Sequence, residues 1–258
     1  MPDAAEHPAP LRVALLQCGH VHEDLVPEHG DYPELFSELF AGHGLALTTI
    51  DAATEALPAI DAFDGWLVSA RRARPTTRCR GSPPSRTCSA PSWPSMRPSW
   101  RCASATRCWP RRWAAGWRST AGWGAGAHRY EIVGPGGDPP PAWMAPPAPD
   151  GTATLIASHQ DQVVELPEGA RVWLRTAHCP VAGYLLGPAA LAIQPHPEFT
   201  SPISRGLVER RRDLMGTDVA DAALASLDAP LDRDLLALWM ARFLRLAADR
   251  RAPAAPRP

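Results

Sequence analysis

The apolar pattern opens at Leu11–Leu16, a near-continuous hydrophobic run of the kind expected for a buried strand of a parallel sheet. Gln17-Cys18-Gly19-His20 turns out of it. Asp31 is placed to cap a helix from about Tyr32 to Ala41, in which Leu35, Phe36, Leu39 and Phe40 share one face and which Gly42 and Gly44 end. Ala46–Ile50 reads as a second strand and Gly65–Val68 as a third. This strand-helix-strand order predicts an α/β fold: a mainly parallel, doubly wound sheet flanked by helices. Further along, Arg129–Val133, Ala153–Glu165, Arg171–Arg175, Gly183–Leu186 and Leu191–Ile193 have the length and composition of strands, and Pro139–Pro149 is a Pro-rich loop. Helices are predicted near Ser201–Met215, Ala220–Leu227 and Asp232–Ala247.

Between these halves the pattern disappears. No Leu, Ile, Val or Phe occurs from Ser69 to Glu131, and no Asp or Glu from Gly65 to Tyr130. Residues 71–118 hold twelve Arg, seven Pro, seven Ser, five Trp and four Cys, through which no helical or strand period can be drawn. A basic disordered insert is one explanation, although five Trp and four Cys are unusual in such segments. An Arg/Trp arm for nucleic acid is a second, with no other feature supporting that partner. The third is translation in the wrong reading frame.

Composition narrows the rest. A chain of 258 residues can bury a substantial core, and a formal net charge of −1 gives no electrostatic case for nucleic acid or a membrane surface. No apolar run reaches membrane-spanning length, and Met1–Pro10 lacks the apolar core of a signal peptide, so a cytoplasmic location is expected. All 26 basic residues are Arg, which with abundant Ala, Pro and Gly reflects a GC-rich coding sequence. Of six cysteines, Cys79, Cys88, Cys102 and Cys108 fall within thirty residues, without the spacing or nearby His of a zinc site. Cys18 and Cys179 read as structural residues.

The candidate chemistry lies in Ala190–Phe199, Ala-Leu-Ala-Ile-Gln-Pro-His-Pro-Glu-Phe. A short buried strand ends at Pro195, which cannot donate to a ladder. His196 and Glu198 follow, with Pro197 fixing the backbone between them. A His beside a carboxylate at a strand's carboxyl end can act as a general base with its orienting partner. The plain alternative is a surface His and a solvated Glu.

The segment resembles the Gln-x-His-Pro-Glu-Phe motif of class I glutamine amidotransferases, a family that uses a Cys-His-Glu triad; His196 and Glu198 match its last two members, and Pro195 stands where the family usually carries Gly. Ser158-His159-Gln160-Asp161-Gln162-Val163 resembles the family's Ser-His-x-Asp-x-Val segment, in family order and spacing. His159 and Asp161 are thereby candidates for a place near the substrate, against a strand and polar turn with local hydrogen bonds. Gly122-Trp123-Gly124-Ala125-Gly126 is also family-like.

The missing nucleophile can be sought in the genetic code, by joining the last base of each codon to the first two of the next. Trp has a single codon, so Cys108-Trp109 must then give Leu, Trp109-Pro110 Ala, and Trp113-Ala114 Gly. Upstream, the codons from Cys102 to Arg107 permit Cys-Phe-Gly-His-Gln. The alternative frame can read Val-Cys-Phe-Gly-His-Gln-x-Leu-Ala-Gln-x-Leu-Gly-Gly, which resembles the family's nucleophile elbow at the place where the family carries it. The same shift permits Gly-Ser-Arg near Ala70 and Tyr-Asp-x-Leu-Pro-Trp-Ile over Pro75–Ser82. Residues of about 70–118 are therefore expected to be frame-shifted, with no nucleophile in the frame as written.

The resemblance covers roughly Leu11–Val68 and Gly122–Leu246. It implies a flavodoxin-like α/β domain over residues 1–248, disrupted at 70–118 and followed by a disordered tail at 249–258. It also implies hydrolysis of the glutamine side-chain amide through a γ-glutamyl thioester, with no metal or organic cofactor. The substrate would be glutamine or a γ-glutamyl compound. Two enzyme classes remain open. One is an amidotransferase subunit feeding ammonia to a synthetase, similar to the GMP-synthase amidotransferase domain; the other is a γ-glutamyl peptidase or transferase acting alone. Against both stands a non-catalytic pseudoenzyme, and the loss of the elbow points to inactivity in the chain as written.

Overall fold

Strand β1 (Leu11–Gln17) is buried at every position but Arg12 because it lies at the centre of a three-stranded parallel sheet. Its neighbours are β2 (Leu45–Asp51), with Leu11 opposite Leu45, and β3 (Gly65–Val68), with Val13 opposite Gly65. The computed structural model describes residues 9–70, 116–134 and 141–250. The expected disruption over 70–118 therefore lies outside the described residues except at its two ends, and the tail beyond residue 250 lies outside them altogether.

A four-residue helix, α1 (Val26–His29), leads into α2 (Tyr32–Leu39). Asp31 caps α2 through a reciprocal box: its side chain accepts from Tyr32 N–H, and Glu34 Oε2 accepts from the Asp31 backbone N–H at 2.9 Å. The predicted apolar face is the one buried, with Tyr32, Leu35, Phe36 and Leu39 turned inward.

The second sheet departs from the expected mainly parallel arrangement. β4 (Gly116–Ile132), β5 (Thr152–Glu165), β6 (Ala170–Arg175), β7 (Gly183–Leu186) and β8 (Ala190–Ile193) form a five-stranded sheet in the order β5-β4-β6-β7-β8, with every pair antiparallel. For β6–β7 and β7–β8 the cause is connection length. A parallel neighbour needs a crossover of about a dozen residues or more, and the β6–β7 and β7–β8 links are far shorter. Among the described residues only β1, β2 and β3 pair in parallel.

The predicted helix over Ser201–Met215 is two: α3 (Ser201–Arg210) and α4 (Arg212–Met215), parted at Arg211 with φ −108° and ψ 8°. α5 (Thr217–Ser226) and α6 (Arg233–Asp249) follow as the last described elements. α6 buries Leu236, Trp239, Met240, Phe243, Leu244 and Ala247 at helical spacing. The Pro-rich loop also contributes to the core, because Trp143 in its short 3-10 turn packs edge-on against Trp173 (5.5 Å) and Phe243 (5.6 Å). No helix among the described residues is long and apolar enough to cross a membrane.

Gly126 shows how closely β4 approaches α5. It holds φ +83°, and a Cβ there would stand 2.3 Å from Ser226 Oγ and 2.6 Å from the Ala223 carbonyl oxygen. Ser226 Oγ in turn accepts from Ala127 N–H at 2.8 Å. Gly126→Ala is expected to cost about 2–4 kcal/mol, from positive-φ strain together with overpacking against backbone. Urea unfolding would read this as a lower midpoint at unchanged slope.

Candidate active site

β8 ends in Gln194-Pro195, and the chain turns so that His196 bridges to β5: His196 N–H donates to the Ile156 carbonyl at 2.8 Å. With Pro on either side of His196, the turn has few backbone alternatives. It carries Glu198 back toward the imidazole, and His196 Nδ1 lies 2.8 Å from Glu198 Oε1. Both side chains are buried, at 7% and 3% exposure, which rules out the plain alternative of a solvated surface pair. A neutral imidazole donating from Nδ1 to Glu198 would keep its lone pair on Nε2, the arrangement a general base requires.

The ring is held from its face as well as its edge. Phe199 stacks on His196 with centroids 4.4 Å apart and planes within 5°, and Tyr32 at the start of α2 stacks on Phe199 at 6.1 Å. The helix cap at Asp31 thus fixes the far end of a stack that ends on the imidazole. Asp31 also accepts from Val21 N–H (2.8 Å) and Gln17 Nε2 (2.7 Å) and lies 2.6 Å from His20 Nδ1. Burial pushes its carboxyl up, but these bonds outweigh burial and its pKa is lowered.

The start of α6 clamps the turn from below. Arg233 Nε donates to the Pro197 carbonyl at 2.9 Å and Nη2 to the Glu198 carbonyl at 3.4 Å, and the guanidinium pairs with Glu38 of α2 at 3.5 Å. Its neighbour Asp232 accepts from Thr154 N–H of β5 at 2.7 Å. Two consecutive residues therefore tie β5, α2 and the His-Pro-Glu turn together. Removing the guanidinium with Arg233→Ala strips donors from two carbonyls in a buried turn. The expected loss is about 1–3 kcal/mol, read by urea unfolding, with faster amide exchange at Glu198 and Phe199.

His159 comes to this region from β5 and Asp161 stays on the strand. His159 lies against β4, where a Cβ on Gly124 would be 2.8 Å from its Cε1 and Nε2, so any side chain there would displace the ring. Its Nδ1 is buried and finds no hydrogen-bond partner among the described residues. Burial, then the charges of His196, His178 and His128, push its pKa down to about 3, which keeps the ring neutral. Asp161 follows two residues later, opposite Ser119 of β4. Gln194 is buried before the turn; its Oε1 accepts from Val163 N–H at 3.1 Å and from Cys179 Sγ at 3.5 Å. The Cys179 thiol is pushed up to about 12 by burial, which leaves it protonated and structural. Among the described residues no cluster of His, Cys, Asp or Glu is arranged to hold a metal ion. The position read as the nucleophile, at Cys102-Ala103, lies outside the described residues.

Sequence reasoning missed Arg233, Tyr32 and Arg211 as parts of this region. Arg211 Nη1 donates to Ser158 Oγ at 2.8 Å, and its guanidinium lies 5.9 Å from the Trp123 ring centroid. All three act across long sequence separations, where local pattern gives no signal.

No family model matches the chain. γ-Glutamyl peptidase 3 of Arabidopsis thaliana is 34% identical over 94 residues, 35% of this chain and 38% of that protein. A glutamine amidotransferase-like protein of Schizosaccharomyces pombe is 33% identical over 91 residues, 33% of this chain and 36% of that protein. The chain thus matches little more than a third of the length of either relative. Among solved structures, a glutamine amidotransferase of Thermotoga maritima superposes with a TM-score of 0.59 at 12% identity, covering 93% of this chain and 98% of that one. One from Methylobacillus flagellatus gives 0.56 at 14% identity, covering 96% and 98%. These likenesses show the fold of the described residues. With that fold, the partial sequence matches and the His-Pro-Glu turn, the chain is similar to class I glutamine amidotransferases.

Proposed function

We propose that this protein descends from a Cys-His-Glu hydrolase of γ-glutamyl amides and that the chain as written is catalytically silent. The observation that carries the reading is the buried His196–Glu198 pair, 2.8 Å apart at the end of β8. Burying a hydrogen-bonded imidazole and carboxylate where two apolar side chains would pack at least as well costs desolvation, and an acid–base function offsets that cost.

In the intended chemistry His196 Nε2 takes the proton of a cysteine thiol, and the thiolate attacks the γ-carbonyl of the substrate. Backbone N–H groups at the nucleophile's turn hold the oxyanion. Collapse breaks the C–N bond; the amine leaves as ammonia or as the peptide amine, taking the proton from His196. Water then adds to the thioester, His196 again accepting a proton, and glutamate and the thiol are released. Glu198 holds the imidazole in the tautomer these steps need. His159, neutral and packed on Gly124, would stand near the substrate, with Asp161 two residues further along β5.

The silence follows from the frame. Cys102 is followed by Ala-Ser-Ala-Thr, with no Gly before Gly116 to form the strained turn of an elbow. The sequence as written therefore lacks the elbow that would lower a thiol's pKa and aim it at His196. Activity as a γ-glutamyl peptidase acting alone is favoured over an ammonia-feeding subunit by the match to the Arabidopsis peptidase. A synthetase partner and a cytoplasmic location remain part of the family-based proposal. The test is the DNA sequence across codons 68–122, together with ammonia and glutamate release by the chain as written and by a frame-restored version. A single unbroken frame giving the present sequence, with turnover by that chain, overturns the proposal.

A further inference from the structure

His196 stands at one end of a chain of ring contacts that runs down α2. Phe199 stacks on its face, with 4.4 Å between centroids and 5° between planes. Tyr32 stacks on Phe199 at 6.1 Å and 21°, Phe36 on Tyr32 at 6.4 Å and 30°, and Phe40 on Phe36 at 6.2 Å and 9°. Tyr32, Phe36 and Phe40 follow one another at the i, i+4 spacing that places side chains one above the next on a helix face. All four aromatic rings are buried. Burial first, then the charge of Glu198, raise the Tyr32 phenol's pKa, so the ring stands near the dyad as a neutral group. Near its other end α2 is tied to the same turn by Glu38, which pairs with Arg233 at 3.5 Å while Arg233 Nε donates to the Pro197 carbonyl at 2.9 Å. The helix therefore braces the His-Pro-Glu turn at two points.

The contact between Nδ1 and Glu198, 2.8 Å long, holds the imidazole at one edge. One hydrogen bond tolerates coupled changes in χ1 and χ2, which swing Nε2 through an arc about that edge. A misplacement of about 1 Å can cost about a hundredfold in rate. A flat partner at 5° removes this freedom only if the partner is itself held, and Tyr32 packs on Phe199 from the first turn of α2. We propose that Tyr32, acting through Phe199, is a positioning residue that fixes the plane of the His196 ring. The inference deepens the functional reading above, which gives that plane its meaning: Nε2 must point at the thiol it deprotonates.

The full chain as written and its variants are compared by NMR of isotope-labelled histidine. The readout is solvent exchange of the His196 Nδ1 proton, assigned by its disappearance in His196→Gln. Tyr32→Leu is expected to speed this exchange roughly tenfold, the range for one or two lost aromatic contacts. Tyr32→Phe keeps the ring and should keep the slow exchange. Leu39→Ala removes buried volume from the same helix outside the ring contacts; it should lower the urea midpoint and leave the exchange unchanged. Exchange that Tyr32→Leu does not alter, or that Leu39→Ala speeds equally, overturns the positioning role, as does a fast-exchanging proton in the unmodified chain. In the frame-restored chain Tyr32→Leu should lower kcat roughly tenfold to a hundredfold with KM near that of its parent, and Tyr32→Phe should keep kcat. A restored chain that turns over equally well with Tyr32→Leu sinks the positioning role alone. A restored chain without turnover sinks the functional reading, and the exchange comparison still decides whether Tyr32 fixes the ring.

Discussion

Restoring the alternative frame over residues 70–118, so that it reads Val-Cys-Phe-Gly-His-Gln, is expected to raise glutaminase turnover from background by at least about a thousandfold. The magnitude comes from what the restored elbow adds to groups already in place. A positioned nucleophile–base pair contributes on the order of 10²–10⁴, and a single oxyanion donor a further 10²–10³ or so. The described residues hold His196 and Glu198, which the proposal makes the base and its orienting carboxylate, 2.8 Å apart and buried. On the proposed reading, a thiol in a strained turn is what the present sequence lacks. In the restored chain, Cys→Ser at the elbow and His196→Ala should each return turnover to background, because members of a triad act as a unit. Glutamate and ammonia release from L-glutamine and γ-glutamyl dipeptides, with both versions side by side, gives the answer. Turnover by the chain as written that disappears on Cys102→Ser would refute the frame argument and make Cys102 the nucleophile.

The first seventy residues were legible because each element carries its own local signals. Asp31 and Glu34 announce the start of α2, its apolar face is continuous, and β3 has the predicted bounds Gly65–Val68. The His196–Glu198 contact was legible for a related reason: the partners are two residues apart with a Pro between them, so the local backbone alone brings them together. The antiparallel character of the second sheet was not anticipated. Buried apolar strands such as Gly183–Leu186 and Ala190–Ile193 look alike in either direction, and only the length of their connection distinguishes them. The break at Arg211 had no Pro or Gly to mark it. The contacts of Arg233 with Pro197 and of His159 with Gly124 depend on how distant segments pack, which no window of sequence contains. Residues 71–115 were legible only as an absence of pattern, and they lie outside the described residues.

Acid should destabilise this fold through His159 more than through any ordinary surface histidine. In the folded chain its ring is buried with Nδ1 unpartnered, and burial first, then His196, His178 and His128, hold its pKa down at about 3. In the unfolded chain the ring titrates near its ordinary value of about 6.5. The unfolded state therefore binds the extra proton between these two values, and stability falls as pH drops through that window. The contribution is fully present above about pH 6.5 and is lost toward pH 3, at up to roughly 1.4 kcal/mol per pH unit. Between pH 7 and pH 4 the loss is on the order of 3 kcal/mol. His128, also lowered by burial, adds to it in the same direction. His159→Gln removes the titrating group while keeping a polar side chain of similar reach. Urea unfolding of both proteins from pH 7.5 to 4 should show the unmodified chain losing stability more steeply, with the two curves diverging below about pH 6.5. Curves that stay parallel across the range would mean that His159 is protonated in the folded protein and has found a partner for its Nδ1.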